Sequence, residues 1–119
     1  MSLVDTIENG VGGPSAAFGV AGLLAPGALA GVYGMTDTSG NFLFLARLWG
    51  TRTGLLGGLL LAAPANERRR LLTAATAMNA IDALVALTSG GLSVRTRLLA
   101  AATSGAFAAA GGFALTKSA

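Results

Sequence analysis

The sequence contains no cysteine and no histidine. Disulfides, a thiolate nucleophile and the usual haem and zinc ligands are therefore absent, and redox chemistry by the chain alone is not expected. Charge is scarce as well: 11% of the 119 residues are Asp, Glu, Lys or Arg, against about 25% in soluble domains. So few charges cannot cover the surface of a small soluble particle, whose surface-to-volume ratio is high. Aromatic residues make up only 6% of the chain, and the hydrophobic content is mostly Ala and Leu, interspersed with Gly, rather than the Val, Ile and aromatic mixture of strands. The fold class expected is all-α. Eighteen glycines suit helices only where small residues let them approach closely, as they do in a membrane.

What is present is a succession of uncharged windows, each about the twenty residues needed to cross a bilayer. Four spans are expected, over residues 14–34, 42–63, 71–89 and 98–116. Pro26-Gly27 should kink the first span. "MTDTSGN" turns the chain, and Asn41 is a candidate cap for the second span. Pro64 ends that span, Asn66 is a candidate cap for the third, and "GGLSVRTR" turns into the fourth. Ahead of them "SLVDTIEN" has the Ser2-x-x-Asp5 spacing of a capping box, ends at Gly10, and is expected to form a short helix on the membrane surface. Asp5 and Glu8 argue against a cleavable signal peptide. With no repeat, low-complexity tail or linker, residues 1–119 read as one membrane domain, a four-helix transmembrane bundle with a short N-terminal surface helix.

The net charge of +3 is not gathered on a solvated face, so no nucleic-acid partner is expected. Arg68, Arg69 and Arg70 share one side of the four-span topology with Lys117, while Arg95 and Arg97 stand on the other. The positive-inside rule then puts both termini in the cytoplasm.

Three charged residues fall inside the spans. Arg47 and Arg52 lie in "FLFLARLWGTRTGLLGGLLLAA" and Asp82 in "LLTAATAMNAIDALVALTS". An arginine or aspartate at a helix centre costs about 2.5 to 3.5 kcal/mol on an insertion scale, so each demands a partner or a function. Counted from the outer ends, Arg47 is five residues deep, Asp82 seven and Arg52 ten, so Asp82 could reach either arginine. Helical phase favours Arg47, which shares a small-residue face with Gly50, Thr51, Gly54 and Gly58. Asp82 shares its face with Ala75, Met78, Asn79 and Ala86. Apposing the two faces pairs Arg47 with Asp82, with Thr51 and Asn79 completing the hydrogen bonds. Arg52, about 140° around the helix among Leu48, Leu55, Leu56 and Leu59, is left without a partner in the same two helices.

Two readings of these charges stand together. One is a buried ion pair that fixes helix register. The other is a ligand site of Arg47, Arg52, Asp82, Asn79 and Thr51 for a small lipophilic or anionic molecule, because two arginines against one aspartate leave a positive charge over. Gly50, Gly54 and Gly58, with the Gly105, Ala109 and Gly112 stripe, read as helix-packing residues. Trp49 and Tyr33 read as lipid- or interface-facing aromatics, and Arg68 to Arg70 as a topology signal. No catalytic set is expected: the other carboxylates, Asp5, Glu8, Asp37 and Glu67, fall outside the spans and leave Asp82 without a second titratable group. No metal site or cofactor is expected either.

"AP" in the first span, then "YG", "RLWGTR" with its glycine-rich leucine run, a basic loop and "NAIDALVAL" resemble small four-helix membrane proteins of actinobacteria, distantly DoxX-like. The resemblance covers roughly Ala25 to Ala114. It implies a multi-pass protein of the bacterial inner membrane, with polar positions at Arg47, Gly50, Arg52 and Asp82, and it supplies no activity. The function expected is a non-enzymatic accessory subunit or small-molecule binder, in contact with lipid and with a homo-oligomer or larger membrane complex as partner. The alternatives are a membrane enzyme or proton-coupled carrier using Asp82, and a soluble Ala/Gly-rich helical bundle whose apolar faces are buried in an oligomer.

Overall fold

The computed structural model describes residues 2–36 and 39–117. The described residues are helical, with no strands. Asp37, expected among the carboxylates outside the spans and in the "MTDTSGN" turn, lies outside the described residues.

Helix α1, Leu3–Leu24, opens on the capping box read from the sequence: Asp5 N–H donates to Ser2 Oγ at 3.1 Å and Ser2 N–H donates to Asp5 Oδ2 at 3.3 Å. It does not stop at Gly10. It runs on through Pro14, so the separate surface helix expected there is the first part of a longer one. The helix passes Gly10 and Gly13, and Gly12 packs against Leu61 and Gly57 of the third helix in sequence, which compensates the weak propensity of glycine there. At Ala25 the backbone leaves helical geometry, and Pro26, which needs no amide donor at a helix start, opens α2, Pro26–Val32. The kink expected at Pro26-Gly27 is thus a break one residue earlier.

The "YG" pair ends α2. Gly34 adopts φ +75°; its N–H donates to Gly31 O at 3.1 Å, and Met35 N–H donates to Ala30 O at 2.9 Å. This Schellman closure needs a residue that tolerates the left-handed region.

Helix α3, Gly40–Ala62, is capped by Ser39, whose Oγ accepts from Phe42 N–H, so Asn41 lies inside the helix instead of capping it. Helix α4, Ala65–Thr88, begins directly after Pro64, with Asn66 already helical and no side-chain cap. Helix α5 is Val94–Lys117, with Ser93 Oγ accepting from Thr96 N–H at 3.2 Å.

The helices pack in the spatial order α1, α3, α4, α5, closing on α1. The intimate pairs are α1 with α3 and α4 with α5; α3 and α4 touch sparsely although two residues join them. Glycine explains the first pair. A Cβ on Gly19 would fall onto the Gly54 backbone, and one on Gly50 would stand 2.6 Å from Gly19 O. Gly57 lies equally close to α1, with its Cβ position 2.5 Å from Ala16 N. Gly58, Gly105 and Gly112 have open space at their Cβ positions; the close approaches expected of Gly58 and Gly112 fall one residue away, at Gly57 and Gly111, and Gly105 makes none.

A small apolar core of Val11, Leu60, Leu72, Ala75 and Ala114 sits toward the end where α1 begins and α5 finishes. Outside it, Leu24, Val32, Phe44, Leu45, Leu55, Ile81 and Leu84 are exposed. Among the described residues, α4 and α5 are long and apolar enough to cross a membrane, and only 22% and 11% of their apolar windows are buried. Two of the four expected spans are not matched in this way. The segment 14–34 is divided at Ala25, and α3 carries two arginines among its glycines.

Candidate functional site

The glycine face of α3 turns toward α1 and not toward α4. Arg52 Nη2 donates to Asp82 Oδ1 at 2.8 Å and to Oδ2 at 2.9 Å. This corrects the pairing expected from helical phase. That argument assumed that the small-residue face of the second span meets its sequence neighbour, whereas it meets α1. Arg52 does share the outward side of α3 with Leu48, Leu55 and Leu59, but its long side chain crosses to α4. The pair is partly open, with side-chain exposures of 43% for Arg52 and 23% for Asp82.

The other residues grouped with it are dispersed. Arg47 is exposed, and among the described residues its side chain makes no hydrogen bond or ion pair. Thr51 Oγ1 donates back to Arg47 O at 2.9 Å within its own helix. Asn79 is buried and its Nδ2 donates to Ala75 O at 2.9 Å, so neither it nor Thr51 bonds to the ion pair.

Asp82 has a second environment. It lines a cavity of about 390 Å³ between α2, α3, α4 and α5, walled by Leu29, Phe42, Leu45, Trp49, Val85 and Leu92 among others. Sharing Tyr33, Trp49, Asp82 and Ser104 with it is a smaller recess of about 20 Å³, where Ser15, Thr53, Asn79 and Thr103 converge with Phe18 and Phe107. A recess of this size and polarity has room for about one water-sized group. Thr53 is 5% exposed and its Oγ1 has no hydrogen-bond partner. The cavity is therefore apolar along its walls and polar at its floor, the usual construction of a small-molecule site. Tyr33 and Trp49, expected to face lipid or its interface, line this cavity instead; the ring of Trp49 is drawn inward over Gly22, where a Cβ would meet it at 3.0 Å.

The far end of the molecule is basic and is held by helix termini. Arg68 Nε donates to Ala63 O at 3.1 Å, beyond the end of α3, and Arg69 Nη1 donates to Leu115 O at 3.2 Å in the last turn of α5. Both satisfy carbonyls that a helix end leaves open and complement its negative pole. Glu8 is buried here at 6% exposure. Desolvation raises its pKa above the ordinary 4.5; Arg68 opposes the shift and Asp5 adds to it. Among the described residues no three acidic, histidine or cysteine side chains converge on a metal-sized site.

Ser15 and Thr53 escaped notice as floor residues, whereas Thr103 and Ser104 stood out by depth only as possible partners for Arg52. A hydroxyl in an apolar helix can equally bond its own preceding turn, as Thr103 Oγ1 does to Leu99 O. Only the shared depth of Ser15, Thr53 and Thr103 across three helices could have singled them out. Comparison of the chain with protein-family models, with curated proteins and with solved structures finds no match. None of these comparisons supports the DoxX-like relationship expected from the residue pattern.

Proposed function

We propose that the chain is a multi-pass membrane protein that holds a small lipophilic molecule in the cavity above Asp82, acting as a binding or accessory subunit and not as an enzyme. The observation that carries the reading is the cavity itself: apolar walls end on a floor of Asp82, Asn79, Thr53 and three further hydroxyls. The membrane setting draws support from the outward faces. The apolar windows of α4 and α5 are barely buried, whereas the core helix of a soluble protein would bury them. Contiguous exposed apolar surface of this kind belongs against lipid or a partner. The long dimension of 43 Å exceeds the roughly 30 Å hydrocarbon thickness, which suits four crossings, with the part of α1 from Pro14 onward and α2 together making the first. On this reading the basic end is cytoplasmic, the membrane is the bacterial inner membrane, and a second copy or a larger complex could share it. The DoxX-like relationship is part of the same proposal.

Native mass spectrometry after extraction in a mild detergent tests the reading. A bound lipophile of defined mass should persist on the native protein and fall away when Ala86, on the cavity wall, is replaced by Phe. A native protein that is always empty speaks against it. A second reading, a proton-coupled carrier, is favoured by the place of Asp82 on the boundary of both cavities. It requires that Asp82→Asn abolish pH-dependent transport in vesicles.

A further inference from the structure

The floor of the cavity also specifies what kind of polar head it accepts. Among the described residues that line the two cavities there is no lysine or arginine; the single charged group is Asp82. Arg52 reaches Asp82 with one guanidinium nitrogen and does not itself line either cavity. A carboxylate offers about four acceptor sites over its two oxygens, so acceptor capacity is left toward the cavity. Thr53 Oγ1, buried and unpartnered, stands in the same floor. A buried hydroxyl without a partner is costly and is satisfied when a polar group arrives.

We infer that the occupant is a single-chain lipophile with a neutral hydroxyl head, which donates its hydrogen bond to Asp82 and accepts one from Thr53. This rests on the cavity being a binding site, and it excludes the anionic ligand that the count of two arginines against one aspartate suggested. An anionic head would meet the Asp82 carboxylate itself, while Arg52, the cation paired with it, lines neither cavity. The small recess admits a head about the size of one water molecule, as a hydroxyl is, while the 390 Å³ cavity takes the chain that follows it. Both requirements, a small donor at the head and an apolar body, are met by one long-chain alcohol.

Trp49 is the only tryptophan and lines both cavities, so its fluorescence reports occupancy. Three bromine-bearing quenchers of equal chain length, 11-bromoundecan-1-ol, 11-bromoundecanoate and 1-bromoundecane, are titrated at pH 8 into the full-length protein at fixed detergent concentration. The alcohol should quench saturably and bind at least tenfold more tightly than either of the others, the ratio expected for a hydrogen bond to a charged acceptor. Thr53→Val, which keeps the shape and removes the hydroxyl, should weaken the alcohol about fivefold and leave the bromoalkane unchanged. Asp82→Asn, which removes the negative charge and leaves Arg52, should strengthen the carboxylate at least tenfold. If the carboxylate binds the native protein as tightly as the alcohol, the hydroxyl assignment is overturned and the cavity reading stands. If the bromoalkane matches the alcohol, the polar floor has no role in recognition and the assignment is likewise overturned. If no probe quenches saturably, the cavity reading itself is lost.

Discussion

The Arg52–Asp82 contact offers a measurement that reports both the pairing and the solvent around it. Arg52 stands twelve residues from Gly40 and ten from Ala62, so it lies about 15 Å from the nearer end of α3. Removing one partner of a buried ion pair costs about 3 to 5 kcal/mol. Exposure of 43% at Arg52 lets its charge seek headgroups or water, which reduces the cost to about 2 kcal/mol in a bilayer. If the same surface faced water, the pair would be worth about 0 to 1 kcal/mol. The test is a double-mutant cycle with Arg52→Gln and Asp82→Asn, with unfolding free energies measured in bicelles. Each single change should destabilise, the double change should recover much of the loss, and the coupling should come out near 2 kcal/mol. A matching cycle of Arg47→Gln with Asp82→Asn should be additive to within about 0.5 kcal/mol, because the two residues share no contact. A coupling below about 0.5 kcal/mol for Arg52 and Asp82 would refute either the contact or the low-dielectric setting. Strong coupling of Asp82 to Arg47 would restore the pairing read from helical phase.

Other expectations can be checked in the same preparations. Gly50→Ala should destabilise by about 1 to 3 kcal/mol, since its Cβ would press on Gly19 O and Leu23 N at 2.6 Å; Gly58→Ala, with open space around it, should be neutral or stabilising by up to about 1 kcal/mol. Gly34→Ala should cost about 1 to 2 kcal/mol through its left-handed backbone, read as a lower thermal midpoint by circular dichroism. Because the Glu8 pKa is raised on folding, the folded chain holds that proton more tightly than the unfolded one. Stability should therefore fall as pH climbs from about 4.5 through the raised value, and Glu8→Gln should flatten that dependence and be the more stable protein at neutral pH. The protein should resist extraction from membranes by carbonate, and single cysteines at Ser39 and Ser93 should be labelled from outside intact cells while one at Ala65 is not.

The helices were legible because apolar length, Pro64 and the Ser2-Asp5 box are local signals. Their partners were not. Ser39 and Asn41 are equally good caps by type, and only the backbone path selects Ser39. Gly57 and Gly58 are adjacent and identical in chemistry, yet one meets α1 and the other meets nothing. Rotation about a helix axis is a tertiary quantity, and a one-residue error is about 100° of it. The same ambiguity displaced Asp82 from Arg52 to Arg47. It also turned Trp49 and Tyr33 outward, because an aromatic near the end of an apolar run is the usual signature of an interface. Depth proved more robust than direction: Asp82 does lie where an arginine of α3 can reach it.

The sparse contact between α3 and α4 divides the chain into two hairpins, one knitted by glycine along α1 and α3, the other formed by α4 and α5, which meet through α1 and α5 and the shared core of Val11, Leu60, Leu72, Ala75 and Ala114. Their joint is the two-residue link at Ala63 and Pro64, and the ion pair and the cavity both lie across the seam. A chain cut at that link and produced as residues 1–63 and 64–119 should therefore reassemble without a covalent connection, with Arg52 and Asp82 acting as a clasp. The cavity belongs to neither half, so it exists only once the two have met.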